Sequence, residues 1–295
     1  MASNSLALSA IVPTHGRPHM LVKSLTSIAT QTLKPTEVII VDDLGDDATR
    51  TLVEELRSSY PVPLLHVRNL AKGGACASRN LGGETARGDL LAFLDDDDIW
   101  LPTYVEKCLE NLSNDEADFS VSYLNRAFTD GRLVLHTTPK GCTAENVLHS
   151  LVHMTGSNCI ITKAAFNEVG GFDEEVPVFN DWDLFIRLIR SGKKYTVIEE
   201  ALVHWNEHGG ERITAGTVRR ADGIHRFLMV YGDDMSPNIR SYFIRLEYGI
   251  RKAHVNSRYA RLLLTIEMLR KTKIYGAYQL IAPRIFKNGI NPRTL

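Results

Sequence analysis

Residues 6–95 alternate short apolar runs with helix-spaced segments, and this alternation constrains the fold more than any other feature. "LALSAIVPT" (6–14), "EVIIVDD" (37–43), "PLLHV" (63–67) and "DLLAFLD" (89–95) read as buried strands. Between them, "HMLVKSLTSIATQT" (19–32) has helical spacing at Leu21, Leu25 and Ile28. "ATRTLVEELRSS" (48–59) and "ACASRNLGGETA" (75–86) also read as helices, the last weakened by Gly82 and Gly83. Strand–helix repeats of this kind make βαβ crossovers and a mostly parallel, Rossmann-like sheet flanked by helices. In such sheets the ligand site lies beyond the carboxyl ends of the strands. Asp42 and Asp43, and the run Asp95 to Asp98, fall at two of those ends.

Farther along, "DFSVSYL" (118–124) reads as a strand and "FTDGRLVLH" (128–136) as a hairpin turning at Asp130-Gly131. "NDWDLFIRLIRSG" (180–192) reads as a helix stopped by Gly192. "HSLVH" (149–153) is expected on a helix surface, and "HWNEH" (204–208) in a loop, since it lacks helical apolar spacing and runs into Gly209-Gly210. From residue 216 the pattern is helical. The expected domains are therefore 1–215, α/β, and 216–295, a helical C-terminal extension.

Charge separates the same two regions. The chain of 295 residues carries a net charge of -1, which argues against a general nucleic-acid binder. Residues 239–295 hold 12 Lys/Arg against Glu247 and Glu267, a local +10 that leaves -11 on the rest. Two uses of this basic tail are open: packing on the acidic body, or contact with an anionic membrane by the stretch "KTKIYGAYQLIAPRIFK" (271–287), kinked at Pro283. Cys76, Cys108, Cys142 and Cys159 form no C-x-x-C pair and read as reduced thiols. No apolar run approaches the ~20 residues that span a bilayer. The expected location is the cytoplasm, with peripheral contact at the inner face of the cytoplasmic membrane.

"AFLDDDDIWLP" (92–102) places four carboxylates side by side after an apolar run. One of them, Asp98, could cap the next helix, but a cap needs one carboxylate and not four. Hard divalent cations such as Mg²⁺ or Mn²⁺ take carboxylate and phosphate oxygens and would relieve the repulsion. An EF-hand loop needs alternate acids and then Gly, which Ile99-Trp100 excludes. An aspartyl phosphatase carries its acids on the first strand. A sugar-nucleotide enzyme, with an Asp-x-Asp pair holding a metal across a diphosphate, fits best.

Several stretches in order resemble family 2 glycosyltransferases of the GT-A fold. "EVIIVDDLGDD" resembles that family's VDDGSxD, "NLAKGGACASRNLG" its NxGxxxARNxG and "FLDDDDIWLP" its FLDSDDxWxP. "FNDWDLFIRL" resembles xEDxDLxLRL and "LVHWNEHGG" resembles xxxYRxHG. The resemblance implies that Pro13, Thr14 and Arg17 line a nucleotide pocket and that Asp43 binds the base with Asp42 beside it. It implies that Arg79 and Asn80 reach the nucleotide or its phosphates. Asp95 and Asp97 would be the Asp-x-Asp pair, with Asp96 between them on the donor side. Asp97 would be the firmest ligand of Mn²⁺ or Mg²⁺, His208 would reach that metal or the diphosphate, and Asp181 would be the catalytic base. Asn180 and Asn206 depart from the family's usual Glu and Arg, and one or two extra residues separate Asn69 from Gly74.

The chemistry holds without the family. Departure of a diphosphate is helped by a cation, and an attacking hydroxyl needs a base. One base opposite the leaving group implies in-line displacement with inversion. Asp183 reads as a helix-dipole acid on the surface, and Asp181 as the better base. The expected reaction moves a sugar from a nucleotide-sugar, UDP by analogy, to a hydroxyl of a glycan or lipid-linked saccharide. Two other classes compete: a sugar-phosphate nucleotidyltransferase, disfavoured because "VPTHGRP" has one Gly, and a non-catalytic binding protein, disfavoured by intact Asp97 and Asp181.

Overall fold

The computed structural model describes residues 7–71, 73–207 and 216–281, with side chains through 272. Two compact units emerge, one of Met1–Val147 with Val152–His208, the other of Leu148–Leu151 with Gly209–Leu295.

The first unit opens with β1 (Leu8–Thr14), α1 (Pro18–Ala29), β2 (Glu37–Asp42), α2 (Asp47–Arg57), β3 (Leu64–Arg68), α3 (Gly74–Thr85) and β4 (Leu90–Phe93). Every residue of β1, β2 and β4 is buried, so these strands show no alternation and must be covered on both faces. They pair in parallel in the order β3-β2-β1-β4. Asp46 caps α2, accepting from the Thr49 N–H at 2.6 Å. The two glycines that weaken α3 in sequence have a packing reason: a Cβ on Gly82 would lie 2.3 Å from Ile11 Cγ2, and one on Gly83 2.9 Å from Phe166 Cε1. The helix lies that close to the sheet.

Beyond β4 the sheet becomes mixed. β5 (Ile99–Trp100), α4 (Tyr104–Asp115), β6 (Phe119–Ala127), β7 (Leu133–His136), β8 (Cys159–Thr162), α5 (Lys163–Glu168), α6 (Asn180–Arg190) and β9 (Tyr195–Asn206) complete the unit. The order continues β4-β8-β6-β9-β5, with β7 on β6. β8 is antiparallel to both β4 and β6, whereas β9 runs parallel to β6 after a helical crossover. The β6–β7 hairpin turns at Asp130-Gly131 as expected, with the Phe128 N–H donating to the Arg132 carbonyl.

Three local expectations are corrected. "HSLVH" is not helical; His153 lies in irregular chain, its ring 4.5 Å from that of His136, with Nδ1 2.9 Å from the Thr137 carbonyl. His204, Trp205 and Asn206 belong to β9 and not to a loop, His204 pairing with Ile99 of β5. A two-residue strand is too short to show a period, so this pairing was invisible in the sequence. Asp183 is not a surface acid: it is buried, and its Oδ2 accepts from Arg187 Nε at 2.9 Å and Nη2 at 2.6 Å.

The second unit contains α7 (Val218–Tyr231), α8 (Pro237–Ala253) and α9 (Arg258–Ile281). Ile244 and Tyr248 of α8 meet Met268 of α9 in its core, with Leu228, Leu264 and Leu269 packed around them. Pro283 and the rest of the tail past residue 281 lie outside the described residues, as does His208.

Candidate active site

The site forms where β1, β2 and β4 end. The four aspartates after β4 divide by position. Asp96 and Asp98 turn inward and are buried. The side chains of Asp95 and Asp97 keep 31% and 13% of their surface exposed. Residues i and i+2 share a side along this turn, which gives Asp-x-Asp its meaning. Trp100 anchors the turn: it is buried, its ring lies 4.7 Å from that of Tyr104 at a tilt of 31°, and it donates its ring N–H to the Ser157 carbonyl at 2.7 Å.

Each inward acid has its own partners. Asp96 accepts from Thr14 Oγ1 at 2.7 Å and from Arg17 Nε at 3.2 Å and Nη2 at 2.5 Å. Burial nevertheless pushes its carboxyl up to about 6, against the opposing pull of Arg17 and Thr14. Asp98 accepts from Ser157 Oγ at 2.6 Å and from the Asn206 N–H at 3.1 Å. Burial, reinforced by Asp97 and Asp95, holds Asp98 well above the usual carboxylate range. Ser157 also accepts from the Asp95 N–H at 3.1 Å, and Asn206 Nδ2 donates to the Asp97 carbonyl at 2.8 Å. Asn206, which departs from the family pattern, thus clamps the acidic turn from β9.

The four carboxylates have no basic neighbour in sequence, but the fold supplies two. Arg17 lies across Asp96 and reaches Asp97 at 3.6 Å. Arg79, buried on α3, donates from Nη2 to Asp95 Oδ1 at 2.5 Å and from Nη1 to Asn180 Oδ1 at 3.5 Å, and lies 5.1 Å from the Phe172 ring centre. Asp95 and Asp181 strengthen its hold on its proton. Gly156 covers this guanidinium; a Cβ there would sit 2.7 Å from Nη2.

Asp181 stands in the first turn of α6, directly after Phe179-Asn180. Phe179 adopts left-handed φ, 60°, a conformation a bulky residue takes only when its surroundings impose it. The buried Asp181 Oδ1 has no hydrogen-bond partner among the described residues. Burial is the largest influence and raises the carboxyl to about 6; Arg79 pulls it down and Asp95 pushes it up. A carboxylate titrating there is suited to accept a proton near neutrality.

The remaining expected residues divide between the site and its frame. Pro13 and Thr14 are buried at the end of β1. Asp42 is spent internally, accepting from the Leu44 and Gly45 N–H groups and lying 3.3 Å from His66 Nε2. Asp43 is the more open of the pair; it accepts from Asn69 Nδ2 at 3.0 Å, and His15 Nδ1 lies 3.4 Å away. The Asn80 amide is closed on the backbone of Phe172 by two bonds, at 2.9 and 2.8 Å, so it secures the "GGFDE" turn. Sequence reasoning did not single out Ser157 or Gly156, and it gave Asp98 no role of its own beyond a disfavoured cap and membership of the acidic run. No motif marks them, because their roles come from chain segments distant in sequence.

Asp95, Asp97 and Asp98 each bring one carboxylate oxygen to within 4.8 Å of the others, the acidic cluster that could hold a cation among the described residues. All-oxygen donors suit Mg²⁺ or Mn²⁺. Asp98 is buried with both oxygens bonded to Ser157 and Asn206, whereas Asp95 and Asp97 keep part of their surface exposed, so these two are the candidate ligands nearest solvent.

Comparisons with known proteins place the family and the fold. Residues 9–170 match the sequence profile described as glycosyl transferase family 2, and the chain belongs to that family. An uncharacterized glycosyltransferase of Haemophilus influenzae is 33% identical over 191 residues, covering 62% of this chain and 62% of that protein, under two thirds of its length. YwdF of Bacillus subtilis, also an uncharacterized glycosyltransferase, is 30% identical over 206 residues, covering 65% and 70%. WcaA of Escherichia coli, a putative colanic acid biosynthesis glycosyl transferase, is 24% identical over 277 residues, covering 92% and 96%. Among solved structures, Staphylococcus aureus TarS 1–349 in complex with UDP-GlcNAc superposes with a TM-score of 0.58 at 18% identity, over 96% of this chain and 77% of that one. The mannosyltransferase PcManGT of Pyrobaculum calidifontis, in complex with GDP-Man and Mn²⁺, superposes with 0.60 at 16% identity, over 95% and 84%. The fold is GT-A: a mixed sheet flanked by helices, followed by C-terminal helices.

Proposed function

We propose that the chain transfers a hexosyl or N-acetylhexosaminyl group, with inversion, from a nucleotide-sugar to a hydroxyl of a glycan or lipid-linked saccharide. The observation that carries this is Asp181: a half-buried residue whose buried Oδ1 has no hydrogen-bond partner among the described residues and whose pKa is raised, beside Arg79, which holds Asp95 of the acidic cluster. A single base of this kind can take the acceptor proton as the hydroxyl attacks. Arg79 fixes Asp95, Arg17 lies 3.6 Å from Asp97, and these two part-exposed carboxylates are the ones we assign to a cation. A bound divalent cation would offset the charge developing on the departing diphosphate. Asp43, bonded to Asn69, is the polar group we assign to the nucleotide base.

TarS bound to UDP-GlcNAc and PcManGT bound to GDP-Man support a nucleotide-sugar donor, and a UDP-sugar is the donor we assign. The names of WcaA and of the minor teichoic acid biosynthesis protein GgaB support a cell-envelope glycan acceptor. The test is Asp181→Asn. Donor affinity, read by calorimetry with UDP-sugars and Mn²⁺, should stay at the wild-type value. Transfer should fall by about a hundredfold to ten-thousandfold, the usual worth of a general base. Lost donor binding with normal transfer at saturating donor would make Asp181 a donor contact.

A further inference from the structure

Among the described residues of its own unit, no element covers one side of α9, and that side is apolar. Tyr259 is 70% exposed, Leu262 56%, Leu263 48% and Ile266 46%, at spacings of three and four that set them on one side of the helix. The opposite side is already used: Met268 is buried and Leu264 packs beside it toward α8, while Leu269, on the flank of the open row, also reaches that core and marks where the open row ends. Cations bracket the open side. Arg258, Leu262, Ile266 and Arg270 form a single row, each four residues from the next, with an exposed arginine at either end. Arg261 and Lys271 are also exposed. Residues 251–273 carry seven Lys/Arg and one acid, Glu267, which pairs with Lys271 at 3.5 Å.

We propose that this face of α9 docks on an anionic phospholipid surface, with Leu262, Leu263 and Ile266 entering the boundary of the acyl region and Arg258 and Arg270 meeting headgroup phosphates. The row itself argues for that occupant. A second copy laid antiparallel on this face would set Arg258 against Arg270 and gain no counter-charge, whereas anionic headgroups neutralise both ends. Tyr259, ring apolar and hydroxyl polar, suits the depth between headgroup and chain. No helix among the described residues is long and apolar enough to cross a membrane, so α9 would lie in the interface plane. The sequence places membrane contact at 271–287; the exposed apolar row lies earlier in the same helix. The inference goes beyond the proposed reaction and does not depend on it.

Co-sedimentation of the full chain with vesicles tests it. The wild type should pellet at low salt with phosphatidylcholine vesicles containing roughly a third phosphatidylglycerol, and stay in solution with phosphatidylcholine alone, the bound fraction falling as salt is added. The triple variant Leu262→Gln, Leu263→Gln, Ile266→Gln should lose binding while its turnover of a soluble nucleotide-sugar stays at the wild-type rate. Arg258→Gln with Arg270→Gln should weaken partitioning on the order of twentyfold, about fivefold per charge. Absence of vesicle binding at low salt overturns the proposal, as does undiminished binding of the triple variant. A dimer in sedimentation equilibrium that the triple variant dissociates, without vesicle binding, assigns the face to a second copy and overturns it as well. Failure of the reaction proposed above would appear separately, as a wild type that binds vesicles and turns over no donor.

Discussion

Arg79 donates to Asp95 at 2.5 Å from a helix sixteen residues earlier in the chain, and Gly156 closes over its guanidinium. The pair joins α3 to the acidic turn after β4. The guanidinium is buried and held by Asp95, so it has nowhere to retreat. Gly156→Ala should therefore destabilise the protein by about 1–3 kcal/mol through overpacking and lower transfer with it. Thermal unfolding and initial rates on one preparation check this; an unchanged midpoint and rate would show that Arg79 has room to move.

The Asp181 carboxyl, raised to about 6 by burial, sets a pH dependence. The base works ionised, so the turnover rate at saturating substrates should rise through about pH 6 and level off above it. Asp181→Asn should leave a low residual rate without that acidic limb. A wild-type limb that persists unchanged in the variant would assign the titration to another group.

Asp98 predicts a gain in stability on substitution. Its folded pKa lies well above the unfolded value of 3.8, so the native state keeps a proton that the unfolded chain releases. Its contribution to stability is full below that unfolded value and is lost as pH rises through the folded value. In Asp98→Asn, the amide oxygen can accept from the Asn206 N–H and the amide nitrogen can donate to Ser157 Oγ, so both bonds survive. In chelator at pH 8 the variant should melt roughly 2–4 °C above the wild type, about 1 kcal/mol, with the gap closing at low pH. Calorimetry across pH decides it; a lower midpoint at pH 8 would mean that Asp98 is held as a stable carboxylate.

Removal of divalent ions should abolish donor turnover, and Mn²⁺ or Mg²⁺ should restore it. Asp97→Ala should weaken Mn²⁺ binding roughly tenfold or more, since it removes one of the two part-exposed carboxylates of the acidic cluster. Calorimetric titration of Mn²⁺ measures this directly. Full turnover in excess chelator would exclude the cation from the reaction.

Local pattern alone determined much of this protein. The fully apolar runs of β1, β2 and β4 and the helix periods between them define the parallel half of the sheet, because burial on both faces leaves a strand no polar position. The exits at Asp43 and Asp95 to Asp98 follow from that order. The acid run after β4 suggested a metal-holding Asp-x-Asp pair, and the family resemblance placed that pair at Asp95 and Asp97 and pointed to Asp181. Only the tertiary structure decided which acids face inward. Asp96 and Asp98 share a residue type and neighbourhood with Asp95 and Asp97; what holds them inward is Thr14, Arg17, Ser157 and Asn206, all distant in sequence, as His66 helps to hold Asp42. The mixed half of the sheet was hidden for a related reason. β5 is two residues long and pairs with a strand about a hundred positions away, so no local period records it. Sequence pattern reports which face of an element is buried; it does not report which distant polar group satisfies a buried charge, because that depends on chain closure in space.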